Sequence, residues 1–312
     1  MTRWRRWWSA GRAALPDASL LVAAILLLVL ALVLPPLPLS LPRPEAVVVF
    51  DITQSMDVED AQLDEAPVSR LVFAREAARR ALRELPCGSR IGWAAFTEYR
   101  TLLLLAPIEV CENYDDLLAT LAGIDGRIRW GNASEVAKGV FWAVRAAKEL
   151  PSHPAIVFLT DGQEAPPLNA FPMFDDVQPG QVHGWLLGVG GSVPRPIPRT
   201  DADGHRIGWW RATDVLQRAE GDGPSRSHEH LSELREPHLR ALAQRTGLGY
   251  ASLRDPAALP SLLRDPALAR PTEVPTDLRA LPAALALLLL ALHFRPGALR
   301  RERARLSRIS GT

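Results

Sequence analysis

Ala46–Asp60 reads AVVVFDITQSMDVED, an apolar strand that runs into an acidic turn rich in hydroxyls. Val47, Val48, Val49 and Phe50 are β-branched or aromatic, the composition of a strand buried on both faces of a parallel sheet. Asp51, Thr53 and Ser55 follow at alternate positions. Three oxygen-bearing side chains placed where a strand gives way to a loop can converge on one point above the sheet. Such a point suits a hard divalent cation such as Mg²⁺, which prefers oxygen ligands in octahedral geometry.

Downstream, Ser69–Leu85 predicts a helix with Leu71, Ala74, Ala78, Ala81, Leu82 and Leu85 on one face. Arg90–Phe96 and Thr101–Ile108 predict two strands, and the short connection between them makes the pair an antiparallel hairpin. Cys87 precedes this hairpin and Cys111 follows it, so both lie at its open end. Paired strands run about 5 Å apart, within the Cα separation that a disulfide needs; a Cys87–Cys111 bridge is expected. Helix is predicted over Ser134–Leu150 and Glu236–Thr246, and strand over Pro154–Thr160, Val182–Val189 and Gly249–Leu253. The alternation describes an α/β fold, a doubly wound, mostly parallel sheet with one antiparallel edge strand. Ligands bind such sheets beyond the carboxyl ends of the strands. Asp51 and Asp161 occupy those ends, and Ser134 starts a helix at the same rim.

The chain has 312 residues, 47% of them hydrophobic, and a net charge of +1. That balance argues against a dedicated nucleic-acid binder. Residues 18–42 carry no charge after the flank RWRRWW and are expected to form a membrane helix behind a basic tail, residues 1–17. No small-x-small cleavage site follows, so an uncleaved anchor is favoured over a signal peptide. Residues 280–294 form a second, shorter apolar run before an arginine-rich tail, residues 295–312. Snorkelling of Arg279 and His293 would shorten the span it needs, and a buried helix is the competing reading. The positive-inside rule then places both termini in the cytoplasm of a bacterial cell and the domain, residues 45–264, in the periplasm at the inner membrane. Residues 190–235 lose all period and read as an irregular insertion, with Asp203-Gly204 as a hairpin turn; residues 265–279 read as a Pro-rich linker.

The order strand-Asp51-x-Thr53-x-Ser55, then Ser134 before a helix, then Thr160-Asp161-Gly162 after a strand, resembles the metal-ion-dependent adhesion site of von Willebrand factor A (vWA) domains. The family's first motif is Asp-x-Ser-x-Ser, and here Thr53 keeps the hydroxyl; its second element is usually Thr, and here Ser134 keeps the oxygen. The resemblance covers about Ala46–Leu263. It implies that Ser55 and Ser134 bind Mg²⁺ or Mn²⁺ directly, with Asp51, Thr53 and Asp161 acting partly through water. It also implies a protein partner whose acidic side chain completes the coordination. The stretch REPHLRALAQRTGLGYASLRD and the two apolar runs further resemble membrane-anchored bacterial vWA proteins of aerotolerance-type operons. The form DITQSM is similar to those encoded beside methanol-oxidation genes. This narrower likeness implies a MoxR-type AAA+ ATPase, and other vWA proteins, as partners.

Other readings of these residues are weaker. Alone, Asp51 would read as a turn or helix-capping residue. Asp57, Glu59 and Asp60 could extend the cation site, but a solvated acidic loop is the favoured reading. His228-x-His230 lacks nearby Cys ligands for zinc, and Gly188-Val-Gly-Gly lacks the third glycine of a dinucleotide loop. A phosphohydrolase with Asp51 as nucleophile, resembling the haloacid-dehalogenase type, needs a second Asp where Thr53 stands and a later Lys, whereas both lysines, Lys138 and Lys148, fall on one predicted helix. Hydrolysis by a Ser/His/Asp set finds no Gly-x-Ser-x-Gly elbow. The chain is therefore expected to be no enzyme, and a vWA scaffold acting without metal is the alternative to metal-dependent binding.

Overall fold

In the computed structural model, which describes residues 17–168, 170–172, 176–215 and 228–294, Val47–Phe50 lie in a 15-residue strand, β1 (Leu37–Asp51). The other strands of its sheet are β2 (Arg90–Thr97), β3 (Arg100–Glu109), β4 (Ala155–Thr160), β5 (Gly184–Gly188), β6 (Gly249–Ser252) and β7 (Ala269–Thr276). Their order is β6-β5-β4-β1-β2-β3, with β7 pairing with β1. β1 is parallel to both β2 and β4, β5 and β6 continue the parallel run, and β3 returns antiparallel to β2 at the border. The helices are α1 (Asp17–Val33), α2 (Arg70–Glu84), α3 (Tyr114–Ala122), α4 (Val136–Glu149), α5 (Glu236–Thr246), α6 (Ala258–Leu263) and α7 (Ala280–His293).

Alternation along β1 divides the core. Val48 and Phe50 face a cluster with Phe73, Ala77 and Ala81 of α2 and Leu117 of α3. Val47 and Val49 face the opposite cluster, with Val140 and Val144 of α4 and Leu239 of α5. Both faces of the strand are therefore dry, and the β-branched run is the sequence consequence of that position. Gly139 sets how closely α4 approaches the sheet. A Cβ there would lie 2.2 Å from the ring of Phe96, while the Gly139 carbonyl accepts a hydrogen bond from Thr101 Oγ1 at 2.8 Å. At the open end of the β2–β3 hairpin, Cys87 and Cys111 are joined by a disulfide with a Cα separation of 5.3 Å.

Two segments depart from the sequence reading. The apolar run over residues 18–42 is helical only to Val33, because Pro35 and Pro36 end the helix; from Leu37 the chain is already β1. Residues 265–279 are not an open linker, since 269–276 form β7. Pro271 and Pro275 fall two turns of the pleat apart, tolerable on a strand with one free side. Within residues 190–235 the structure shows two short antiparallel ribbons, 198–200 with 206–209 and 195–196 with 231–232. Much of the polar stretch 217–232, and the tails 1–16 and 295–312, lie outside the described residues.

The chain divides into two compact units, Leu41–Thr272 and a second made of Met1–Ser40 with Glu273–Thr312. In the second unit α1 and α7 pack together, and Arg279 Nε donates to the Leu34 carbonyl at 2.9 Å. Ala24 and Ala286 are buried, while Leu26, Leu32, Leu281 and Leu287 are each more than 60% exposed. The helices are described over 17 and 14 residues, about 26 and 21 Å of rise. Among the described residues no helix is long and apolar enough to cross a membrane.

Candidate metal centre

Asp51 is the last residue of β1, opposite Phe96 of β2, and is fully buried. Its Oδ1 accepts from the Thr53 backbone N–H at 2.9 Å and from Thr53 Oγ1 at 2.6 Å. Its Oδ2 accepts from Thr160 Oγ1, at the end of β4, at 2.6 Å. Beyond Thr53 the chain turns in a short 3₁₀ segment, Gln54–Asp57, which brings Ser55 Oγ to 3.1 Å from Thr53 Oγ1. Burial, and then the charge of Asp161, push the Asp51 carboxyl up to about 7 against the hydrogen bonds from Thr160 and Thr53 that favour its ionised form.

Ser134 and Asp161 meet at a third loop. Ser134 is buried, exchanges backbone hydrogen bonds with Ala165 at 2.8 and 2.7 Å, and donates from Oγ to the Gln163 carbonyl at 2.7 Å. Asp161 Oδ1 accepts from the Gln163 N–H at 2.9 Å. Both expected ligands therefore clamp residue 163. Asp161 Oδ2 is occupied as well, by Arg70 Nη1 at 2.6 Å and Ser232 Oγ at 2.7 Å.

Three residues of this rim escape the sequence reading, Arg70, Ser232 and Arg129, while Thr160 enters it only as part of the Thr160-Asp161-Gly162 motif and Asp60 only as a member of the acidic loop. Arg70, the first residue of α2, is fully buried and forms a two-point pair with Asp60 at 2.8 and 2.7 Å. Arg129 binds the Ile52 carbonyl at 2.6 Å, Asp57 at 2.9 Å and Thr200 Oγ1 at 3.2 Å. The 57–60 loop is thus not a solvated acidic run. Asp57 and Asp60 each face a buried guanidinium, and only Glu59 points outward, its side chain 61% exposed. Arg70 pulls the Asp60 carboxyl below its usual range despite burial, whereas burial outweighs Arg129 and raises Asp57. Periodicity could not have found these pairs, because an arginine at a helix start scores as an exposed polar residue. The 198–209 ribbon is fastened to the same rim by Arg129 and by Trp210 Nε1, which donates to Gln54 Oε1.

Tested as a donor set, Asp51, Thr53 and Ser55 offer a hard cation oxygens within one turn, and Ser134 keeps its lone pairs because it spends its proton on Gln163. Both carboxylates have both oxygens engaged, but Asp51 only by hydroxyls and a backbone N–H, whereas Asp161 is paired with the Arg70 guanidinium.

A mostly parallel sheet wound on both sides, with Asp51, Ser134 and Asp161 at the carboxyl rim of its strands, defines a vWA-like fold. No protein-family model matches the chain. It is 32% identical over 163 residues to a UPF0353 protein of Mycobacterium sp. (strain KMS), a match covering 49% of this chain and 45% of that one. A UPF0353 protein of Mycobacterium tuberculosis (strain H37Rv) is 30% identical over the same length. The chain spans about half the length of the curated relatives it matches. Among solved structures it is similar to BatB from Bacteroides thetaiotaomicron, at 19% identity and TM-score 0.48, covering 71% of this chain and 96% of that one. It is also similar to an aerotolerance-related membrane protein from Bacteroides fragilis, at 17% identity and TM-score 0.47, covering 72% and 98%. A von Willebrand factor type A protein from Catenulispora acidiphila aligns at 14% identity and TM-score 0.42, covering 78% and 43%. None of these descriptions names an enzymatic activity.

Proposed function

We propose that this chain is a membrane-anchored binding module whose metal centre recognises a protein partner. The observation that carries the reading is Asp51, a fully buried carboxylate among the hydroxyls of Thr53 and Thr160, with Ser55 beside them. Arg70 reaches Asp161 but makes no bond to Asp51. The charge deficit at Asp51 is what a divalent cation would relieve. Asp51, Thr53, Ser55 and Ser134 would hold Mg²⁺ or Mn²⁺, with Asp161 acting through water. Such an ion supplies an open coordination position to a carboxylate from the partner. The rim residues orient this exchange: Thr53 and Thr160 fix both oxygens of Asp51, and Gln163 fixes the relative placement of Ser134 and Asp161.

The paired helices α1 and α7, with alanines inward and leucines outward, support anchoring in a bacterial inner membrane, with small residues at the helix contact. The basic tails in the sequence support cytoplasmic termini and a periplasmic domain. The likeness to aerotolerance-type proteins supports a role in assembling or maturing a periplasmic or membrane complex with a MoxR-type AAA+ ATPase. The test is capture of that ATPase by the full-length chain in detergent, with and without chelator, beside Asp51→Ala. Capture that is lost in both conditions supports the reading; capture indifferent to both refutes it. The engagement of Asp161 by Arg70 favours a second reading, a scaffold that binds without metal, and that indifferent capture is its expected result.

A further inference from the structure

The group that the expected ligand set leaves unexplained is the guanidinium of Arg70. It is fully buried, and Nη1 alone contacts Asp161 Oδ2 at 2.6 Å, Ser232 Oγ at 2.6 Å and the Ser55 carbonyl at 3.3 Å. Nε and Nη2 take both oxygens of Asp60, and Nη2 also reaches the Ser232 carbonyl at 3.3 Å. The backbone closes over it at Gly190, whose φ of +115° is a conformation that favours glycine and where a Cβ would lie 2.4 Å from Arg70 Nε. Gly191 N–H then completes Asp60 Oδ2 at 3.0 Å. The glycine pair after β5, which looked like a fragment of a dinucleotide loop, is part of the cage around an arginine. Segments 51–60, 160–163, 190–191 and 231–232 all supply groups arranged for a cation carried by the chain itself.

We propose that Arg70 is a built-in counter-cation that competes with the divalent ion for Asp161 and so sets the affinity of the metal centre. The proposal rests on the reading above that Asp51, Thr53, Ser55 and Ser134 hold the ion. Two effects act in the same direction. Asp161 cannot turn an oxygen toward an ion's water without giving up Arg70 or Ser232, and a positive charge at the Ser55 carbonyl repels a second cation beside Ser55. Ser232 belongs to the 195–196/231–232 ribbon, so the carboxylate that would serve the ion is the one that holds this ribbon. Arg70 is accordingly a positioning residue: it acts on the ion through Asp161.

The test is Mn²⁺ titration of the full-length protein in detergent, with free Mn²⁺ read by electron paramagnetic resonance, for wild type, Asp51→Ala, Arg70→Met and Ser232→Ala. Arg70→Met is expected to bind Mn²⁺ at least tenfold more tightly than wild type, and Ser232→Ala, which removes one donor without changing charge, about threefold more tightly. Arg70→Met leaves two buried carboxylates without their partner and loses stability, so Mn²⁺ should raise its melting temperature by more than it raises that of wild type. Equal or weaker Mn²⁺ binding by folded Arg70→Met, with wild-type binding that depends on Asp51, overturns the competition alone. Identical binding by wild type and Asp51→Ala overturns the metal centre and the competition together. If Arg70→Met does not fold, Ser232→Ala decides, and an unchanged affinity there overturns the proposal.

Discussion

Replacing Asp51 by Asn should stabilise the metal-free protein, and do so more as the pH rises. In the folded chain burial and Asp161 hold the Asp51 proton up to about pH 7, whereas its ordinary value is 3.8. Between those values the folded state binds a proton that the unfolded state has released, so stability falls as pH rises and the loss is complete above about pH 7. At about 1.4 kcal/mol per pKa unit, the burden of the ionised carboxylate reaches roughly 4 kcal/mol at pH 8 and roughly 2 kcal/mol at pH 5. Asparagine keeps an acceptor for the Thr53 N–H and hydroxyl and offers an N–H₂ to Thr160 Oγ1, so little hydrogen bonding is lost. The contributions of Asp57 and Asp60 are common to both proteins and cancel in the difference. Urea unfolding of the full-length chain in chelator, across pH 5 to 8, reads that difference directly. Parallel pH profiles for wild type and Asp51→Asn, or a variant less stable than wild type at pH 8, would refute the reasoning. Added Mg²⁺ should then favour wild type over the variant, because only wild type has the charge to neutralise.

Three further substitutions probe the supports of the site. Arg129→Met strands the half-buried Asp57 and frees the Ile52 carbonyl, so it should cost about 3 kcal/mol in urea unfolding and speed proteolysis within 198–209. Gly139→Ala drives a methyl into Phe96; a loss of about 1–3 kcal/mol is expected, with near-ultraviolet circular dichroism reporting the displaced ring. Cys87→Ser opens a loop closed across a sequence separation of 24 and should lower stability by about 3 kcal/mol, an effect that a reducing agent reproduces on wild type and leaves unchanged on the variant.

The sequence is most informative where one side chain type answers to one structural demand. Val47–Phe50 announce a strand dry on both faces, and the four-residue connection after Phe96 announces a hairpin, which is why the positions of Asp51, Asp161 and the cysteine pair can be reasoned out beforehand. The counter-charges are different. Arg70 stands at a helix start, and its partners Asp60, Asp161 and Ser232 are up to 162 positions away, so no local pattern distinguishes it from a solvated arginine. Pro271 and Pro275 mislead in the opposite sense: they suggest an open linker because proline breaks regular structure on average, yet β7 accommodates them four residues apart. Asp57 and Asp60 fail for a further reason, since an acidic turn looks the same in sequence whether its neighbours in space are water or guanidinium.

The β2–β3 hairpin also bears on solubility. β3 is the border of the sheet, and its central stretch, Thr101–Ala106, is the uncharged TLLLLA with Leu102 54% exposed. An uncharged, apolar border is a template for pairing with another chain, blunted here only in part by the register shifts around Trp93. Arg100 and Pro107 bracket it, α4 ties down Thr101, and the disulfide keeps its far end from peeling away. The cystine therefore does more than brace a fold: it keeps an adhesive ribbon sheathed. Loss of that bond should show first as concentration-dependent clumping, before any loss of helix, and the chain would be safest where thiols are kept oxidised.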